Sequence, residues 1–88
     1  MSEQPPKKMP DLKGLDPTKT FYMGVWVSNL DGSTDIECVE SASHDEAEAL
    51  NALIELNEEY PTADGYLYRC IPIARVWRGK PKVTRLAK

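Results

Sequence analysis

His44, Cys38 and Cys70 are the side chains of this chain best suited to chemistry. A cysteine beside a histidine can serve as a nucleophile, and cysteines with histidine can hold zinc. The spacing suits neither task. His44 is the only histidine, and no Cys-x-x-Cys or His-x-x-x-His pair is present. A structural zinc site needs four ligands, usually in closely spaced pairs. The two cysteines therefore read as buried free thiols, since free cysteine is among the most buried residue types. Asp45 and Glu46 follow His44, but both suit a helix start, where carboxylates oppose the positive end of the helix dipole. Gly24, Gly32, Gly65 and Gly79 stand singly, so no glycine-rich loop cradles a phosphate. The expectation is a protein with no catalytic residues, no metal and no cofactor.

Charge is the stronger signal. Between Thr20 and Arg69 there is no lysine or arginine, and eleven carboxylates fall in that stretch. From Arg69 to Lys88 the sign reverses, with seven basic residues and no acid. The formal net charge of −3 hides two opposed fields. Separated fields steer partners and say little about fold. Two readings stand side by side: an acidic solvated helix with a solubilising basic tail, and a charge-guided interaction surface.

The elements that must carry these residues follow from pattern. Eighty-eight residues make one small domain with a modest core. No apolar run approaches the roughly 20 residues of a membrane span. The first eight residues, MSEQPPKK, lack the apolar core of a signal peptide, so a cytoplasmic protein with reduced cysteines is expected. Residues 1–20, with four prolines and four lysines, read as a flexible arm. Phe21 to Leu30 is aromatic and β-branched and reads as a strand. Asp31-Gly32 signals a turn, and Asp35 to Ser41 the returning edge strand. Ser43-His44-Asp45-Glu46 predicts a capping box with Ser43 as the cap. Ala47, Leu50, Leu53 and Ile54 form the apolar stripe of the helix that follows, and Pro61 stops it. Tyr66 to Trp77 reads as one long last strand with a bulge or edge near Pro72, and residues 79–88 as a loose basic tail. The result is an α+β domain over residues 21–78, ordered β-β-α-β. One helix lies on one face of a three-stranded antiparallel-type sheet of order 2-1-3.

The other face of that sheet is then uncovered. By alternation it carries Tyr22 and Trp26 from the first strand and Arg69, Arg75 and Trp77 from the last, with Arg78 just beyond. Aromatics mixed with arginine are the residues enriched at interface hot spots, and they also suit base stacking. The competing assignment packs Trp26 and Trp77 into the core.

Several short motifs coincide with those of a known group. An aromatic pair, Phe21-Tyr22, opens the first strand. The helix starts with Asp45-Glu46-Ala47 and Leu50 and ends at Tyr60-Pro61. Ala63, Gly65, Tyr66, Arg69 and Pro72 follow. In these residues the stretch from Phe21 to Pro72 resembles the small host RNA polymerase inhibitors of short-tailed lytic bacteriophages. The resemblance implies a β-β-α-β fold that binds the largest subunit of bacterial RNA polymerase near the downstream DNA channel and blocks host transcription. It implies that Arg69 grips an acidic patch of the polymerase; Arg75 or Arg78 is the candidate to replace the family's second arginine. Asp31 sits where an acidic contact is expected. Ile71 stands where the family has a second arginine.

Three functions are therefore open. The first is a regulatory protein docking on host RNA polymerase. The second is a nucleic-acid-binding module using the basic tail and aromatic face, against which the eleven carboxylates weigh by repelling phosphate. The third is a small assembly protein, monomer or weak homodimer, pairing through the edge strand Asp35–Ser41.

Overall fold

The computed structural model describes residues 9–10, 12–28, 36, 38–79 and 82–86. Strand β1 (Phe21–Ser28) is flanked by two antiparallel neighbours, β2 (Cys38–Ser43) and β3 (Ala63–Cys70), in the order β2-β1-β3. Helix α1 (Glu46–Glu59) joins β2 to β3 and lies across this sheet. The α+β class, the order of these four elements and the sheet order follow the sequence reading. Two short strands, β4 (Ala74–Val76) and β5 (Val83–Arg85), pair separately. The expected turn at Asp31-Gly32 and the start of the second strand at Asp35 lie outside the described residues.

β1 is central because both its faces can be buried. Val25, Trp26 and Val27 are buried in succession, which a strand allows only when both sides are shielded. Tyr22, Gly24 and Trp26 turn one way. In register with them stand Ser43, Ser41 and Cys38 of β2, and Arg69, Leu67 and Gly65 of β3. A bulge between Gly24 and Val25 leaves Glu40 with no residue opposite it, which brings Ser41 and Cys38 to the same face.

The helix packs on this face, not on the one carrying Met23, Val25 and Val27. Trp26 is thus fully buried (0% exposed), in a cluster with Leu56 and Ala63 and with Cys38 and Tyr60 against it. Its placement on an open face is corrected: its ring is the largest apolar body on β1, and burying it against α1 removes the most surface from water. The opposite face is not bare either. Met9, Pro10 and Leu12 border a groove of about 460 Å³ floored by Phe21, Met23, Val39 and Ala42.

Two glycines set how closely the helix approaches. A Cβ on Gly24 would meet Ser41 Oγ at 2.7 Å and Leu53 Cγ at 2.9 Å, and one on Gly65 would meet Leu53 Cδ2 at 3.2 Å. Leu53 therefore sits over the recess that these residues leave. At the same point Ser41 Oγ donates to the Ala49 carbonyl at 3.3 Å. The buried stripe of α1 is Ala49, Leu53 and Leu56. This replaces the expected stripe of Ala47, Leu50, Leu53 and Ile54, of which only Leu53 is buried. Leu50 and Ile54 remain 43% and 47% exposed.

The helix ends also differ in detail. Asp45, not Ser43, is the N-cap: its Oδ1 accepts from Ala47 N at 2.9 Å and Glu48 N at 3.4 Å. Ser43 is still paired with Tyr22 in the sheet, so its backbone is extended strand, and its Oγ instead accepts from Asp45 N. Tyr60 closes the helix through its amide to the Leu56 carbonyl, with φ −127° and ψ 80° as suits a residue before Pro61. Asn57 Nδ2 donates to the Ala63 carbonyl and ties the helix end to β3.

The predicted strand from Tyr66 to Trp77 is two strands in two sheets. β3 starts earlier, at Ala63, and stops at Cys70. Pro72 has no amide to continue the ladder. Beyond it β4 pairs with β5, and the ladder is extended by Leu86 N to the Ile73 carbonyl and Trp77 N to the Lys82 carbonyl. The described part of the tail is thus an ordered strand. Gly79, at φ 76°, takes the positive φ that glycine adopts readily. Among the described residues the β4–β5 hairpin packs against no other element.

Gly24→Ala should cost about 1–3 kcal/mol, since overfilling a tight site forces neighbours off their preferred positions. That is a melting-temperature loss of roughly 4–8 °C per kcal/mol. Gly65→Ala should stay within about 1 kcal/mol of wild type, because the Leu53 methyl can yield and alanine is the better strand residue. Thermal unfolding of the two variants tests the recess, and equal effects would argue against it.

Candidate partner-binding site

The exposed basic residues from Arg69 onward fall into two groups. The first lies at one end of the main sheet. Arg69 on β3 stands directly opposite Tyr22 on β1, and with Leu67 and Glu46 at the helix start they line a cleft of about 390 Å³. Arg69 is exposed there. A carboxylate, Glu46, faces the same cleft, so the site presents both signs within one small concavity.

The second group is the hairpin. Arg75 lies over the Trp77 ring, its Cζ 3.5 Å from the centroid. Trp77 Nε1 donates to Thr84 Oγ1 at 3.0 Å across the two strands. The register Arg75 opposite Thr84 places both on one face, with Trp77. Ala74, Val76, Val83 and Arg85 take the other face. On that face Val76 is 69% and Val83 60% exposed. Arg78 is exposed in the turn. A two-stranded hairpin alone in water is marginal. This one is braced by an exposed cation–π contact worth about 0.5–1 kcal/mol and a side-chain hydrogen bond. It keeps an apolar face uncovered.

The structure thus unites Arg75, Trp77 and Arg78 on the hairpin, and Tyr22 with Arg69 at the sheet end. Trp26 is under the helix and belongs to neither group. Asp31 lies outside the described residues. The sequence reading missed Thr84 and Val83, because the stretch after Gly79 carried no hydrophobic run to mark a strand; Val76 fell within the predicted last strand but was not singled out. The alternation Val83-Thr84-Arg85 was the one available signal.

The residues first considered for chemistry have other work. His44 Nδ1 bonds the Thr20 carbonyl at 2.8 Å, and its Nε2 accepts from Asp16 N at 2.9 Å. That pair of bonds needs the neutral ring with its proton on Nδ1. Asp16 Oδ1 in turn accepts from Thr18 N and Thr18 Oγ1, at 2.9 and 2.6 Å. The part of the expected flexible arm nearest the sheet is therefore turned and held by His44. Cys38 and Cys70 are not joined in a disulfide and are half-buried rather than buried. They stand opposite Trp26 and Phe21 respectively, so they sit on different faces of the sheet. Among the described residues no three His, Cys, Asp or Glu side chains are placed to hold a metal, and no helix is long and apolar enough to cross a membrane.

Comparison with family models, curated proteins and solved structures finds no match.

Two outcomes are expected. The Thr18 hydrogen bonds hold the Asp16 carboxyl below the usual carboxylate range. The turn they form is therefore complete above about pH 4. It is lost as pH falls through the lowered pKa. An NMR titration of the Thr18 amide should show a midpoint below 3.8, absent in Asp16→Asn. Thr84→Val should free the Trp77 indole N–H to exchange while leaving the main melting transition within about 0.5 kcal/mol, the range of surface changes. A large fall in that transition would show the hairpin to be part of the main core.

Proposed function

We propose that this chain is a small regulatory binding protein that docks through its basic end on an acidic surface of a large protein assembly. The observation that carries this reading is the β4–β5 hairpin. It bears Arg75, Arg78, Lys82 and Arg85 with no acid, exposes Val76 and Val83, and among the described residues packs on neither the helix nor the main sheet. Such a hairpin gains stability when a partner covers it. Arginine with an aromatic side chain is the composition of interface hot spots.

The partner we propose is bacterial RNA polymerase, through its largest subunit, with inhibition of host transcription in the bacterial cytoplasm as the outcome. Support comes from the residues shared with the phage inhibitors and from the β-β-α-β order with sheet order β2-β1-β3. The exposed position of Arg69 beside Tyr22 also fits. Where those inhibitors have a second arginine, this chain has Ile71, which is exposed. The hairpin arginines are the proposed replacement. The acidic surface of α1 repels nucleic acid and can occupy ground that DNA would otherwise hold. The role is binding, not catalysis.

Purified core polymerase should bind the chain, and the chain should suppress promoter-dependent transcription. Arg69→Glu and Arg75→Glu should each weaken binding at least tenfold, because reversing a charge at a contact replaces attraction by repulsion. Unchanged binding of both variants would sink the mechanism. Tryptophan quenching by single-stranded oligonucleotide, with a steep salt dependence, would favour nucleic acid instead.

A further inference from the structure

A second concave surface lies on the far side of the charge divide. Leu50 and Ile54, left out of the core by the rotation of α1, face Tyr66 and Leu67 of β3 across a groove of about 680 Å³. Glu58 and Asp64 line it as well, and among the described residues no basic one does. β3 is an edge strand of the sheet, so the groove is open along its outer side. Its chemistry is apolar with an acidic rim.

The hairpin has the complementary chemistry. Val76 and Val83 project from one face together with Arg85, and Arg75 lies on the other. Its apolar residues match the groove floor, and Arg85, on the same face as the valines, matches Glu58 and Asp64. In its own chain the hairpin stands clear of both α1 and β3. The two surfaces therefore meet only between molecules.

We propose that the α1–β3 groove receives the β4–β5 hairpin of a second copy of this chain. Two copies that exchange hairpins close a reciprocal pair, with each groove filled and each hairpin covered. This inference rests on the reading of the hairpin as the recognition surface. It adds a regulation of that surface: the paired form hides the residues that the target needs, so self-association and target binding compete. The site differs from pairing through the predicted edge strand: β2 lies on the opposite side of β1 from β3.

The test uses the purified full chain alone, by sedimentation velocity over a concentration series. At about 50 mM salt the wild type should show a monomer–dimer equilibrium. Raising the salt to about 500 mM should weaken it at least tenfold, since the Debye length then falls to a few ångströms. Arg85→Glu should be monomeric, as should Glu58→Lys/Asp64→Lys. An equimolar mixture of these two variants should associate, because each hairpin then meets a groove of opposite sign. Far-UV circular dichroism establishes that both variants are folded, and the salt series on the wild type needs no variant. A wild type that stays monomeric at low salt at all concentrations would overturn the proposal. So would association that ignores salt and both variants, or a mixture that stays monomeric. The groove variant keeps Arg69 and the hairpin. If it loses self-association but still binds polymerase, both readings stand. Absence of self-association with polymerase binding intact overturns this inference alone. Self-association without polymerase binding overturns only the choice of target.

Discussion

Leu53 seated over Gly24 and Gly65 is the contact on which the rest of the arrangement depends. Without a Cβ at Gly24, the helix backbone comes close enough for Ser41 to reach the Ala49 carbonyl. That approach fixes the rotation of α1 about its axis, with Ala49, Leu53 and Leu56 inward. Leu56 then meets Trp26, and Ala63 closes the cluster at the start of β3. The arrangement leaves the indole Nε1 of Trp26 buried without a hydrogen-bond partner among the described residues. An unmade buried bond costs on the order of 1–3 kcal/mol. The large apolar area of the ring offsets that cost, since full burial of an aromatic removes roughly 150–250 Å² from water. The same rotation turns Leu50 and Ile54 outward, so the exposed groove beside β3 is a consequence of the packing.

The charges sort by element. The acids of α1 belong to the compact part of the chain, and the hairpin that follows Pro72 carries only basic charge. Keeping the hairpin off the main sheet has a physical logic. A basic strand laid beside the acidic helix in the same molecule would satisfy its charges internally and leave little to steer a partner. Standing apart, it retains its field and its uncovered valines. The chain is correspondingly extended, with a radius of gyration of 15.5 Å, against about 12 Å for a compact domain of this length. The Arg75–Trp77 stack preorganises one face of the hairpin, which lowers the entropy lost when a partner binds.

His44 illustrates how a chemically capable residue becomes structural. Both of its ring nitrogens are used by backbone groups of the segment that precedes β1. The neighbouring Asp16 caps its own short turn through Thr18. These bonds hold residues 16–20 near the helix start. Further back along the same segment, Met9, Pro10 and Leu12 reach the second face of the sheet.

The types and order of the four main elements were legible in the sequence, as were the sheet order and the segregation of charge. Each of these rests on local signals: β-branched and aromatic runs, an acidic helix start, and a proline that ends a helix or a ladder. The face covered by the helix was not legible, because period-2 alternation marks two faces of a strand without saying which is inward. The stripe on α1 was equally underdetermined. Leu50 and Ile54 fit a helical repeat as well as Ala49 and Leu56 do, and the choice was made by a recess built from residues some forty positions apart in the chain. Arg69, Arg75 and Arg78 were identifiable as exposed candidates from charge alone. Their division between a sheet end and a separate hairpin, and the withdrawal of Trp26 into the core, depended on where β3 stopped and what β4 then paired with. β4 pairs with β5 across a short turn, and strands of three residues carry too little alternation to announce themselves in the sequence.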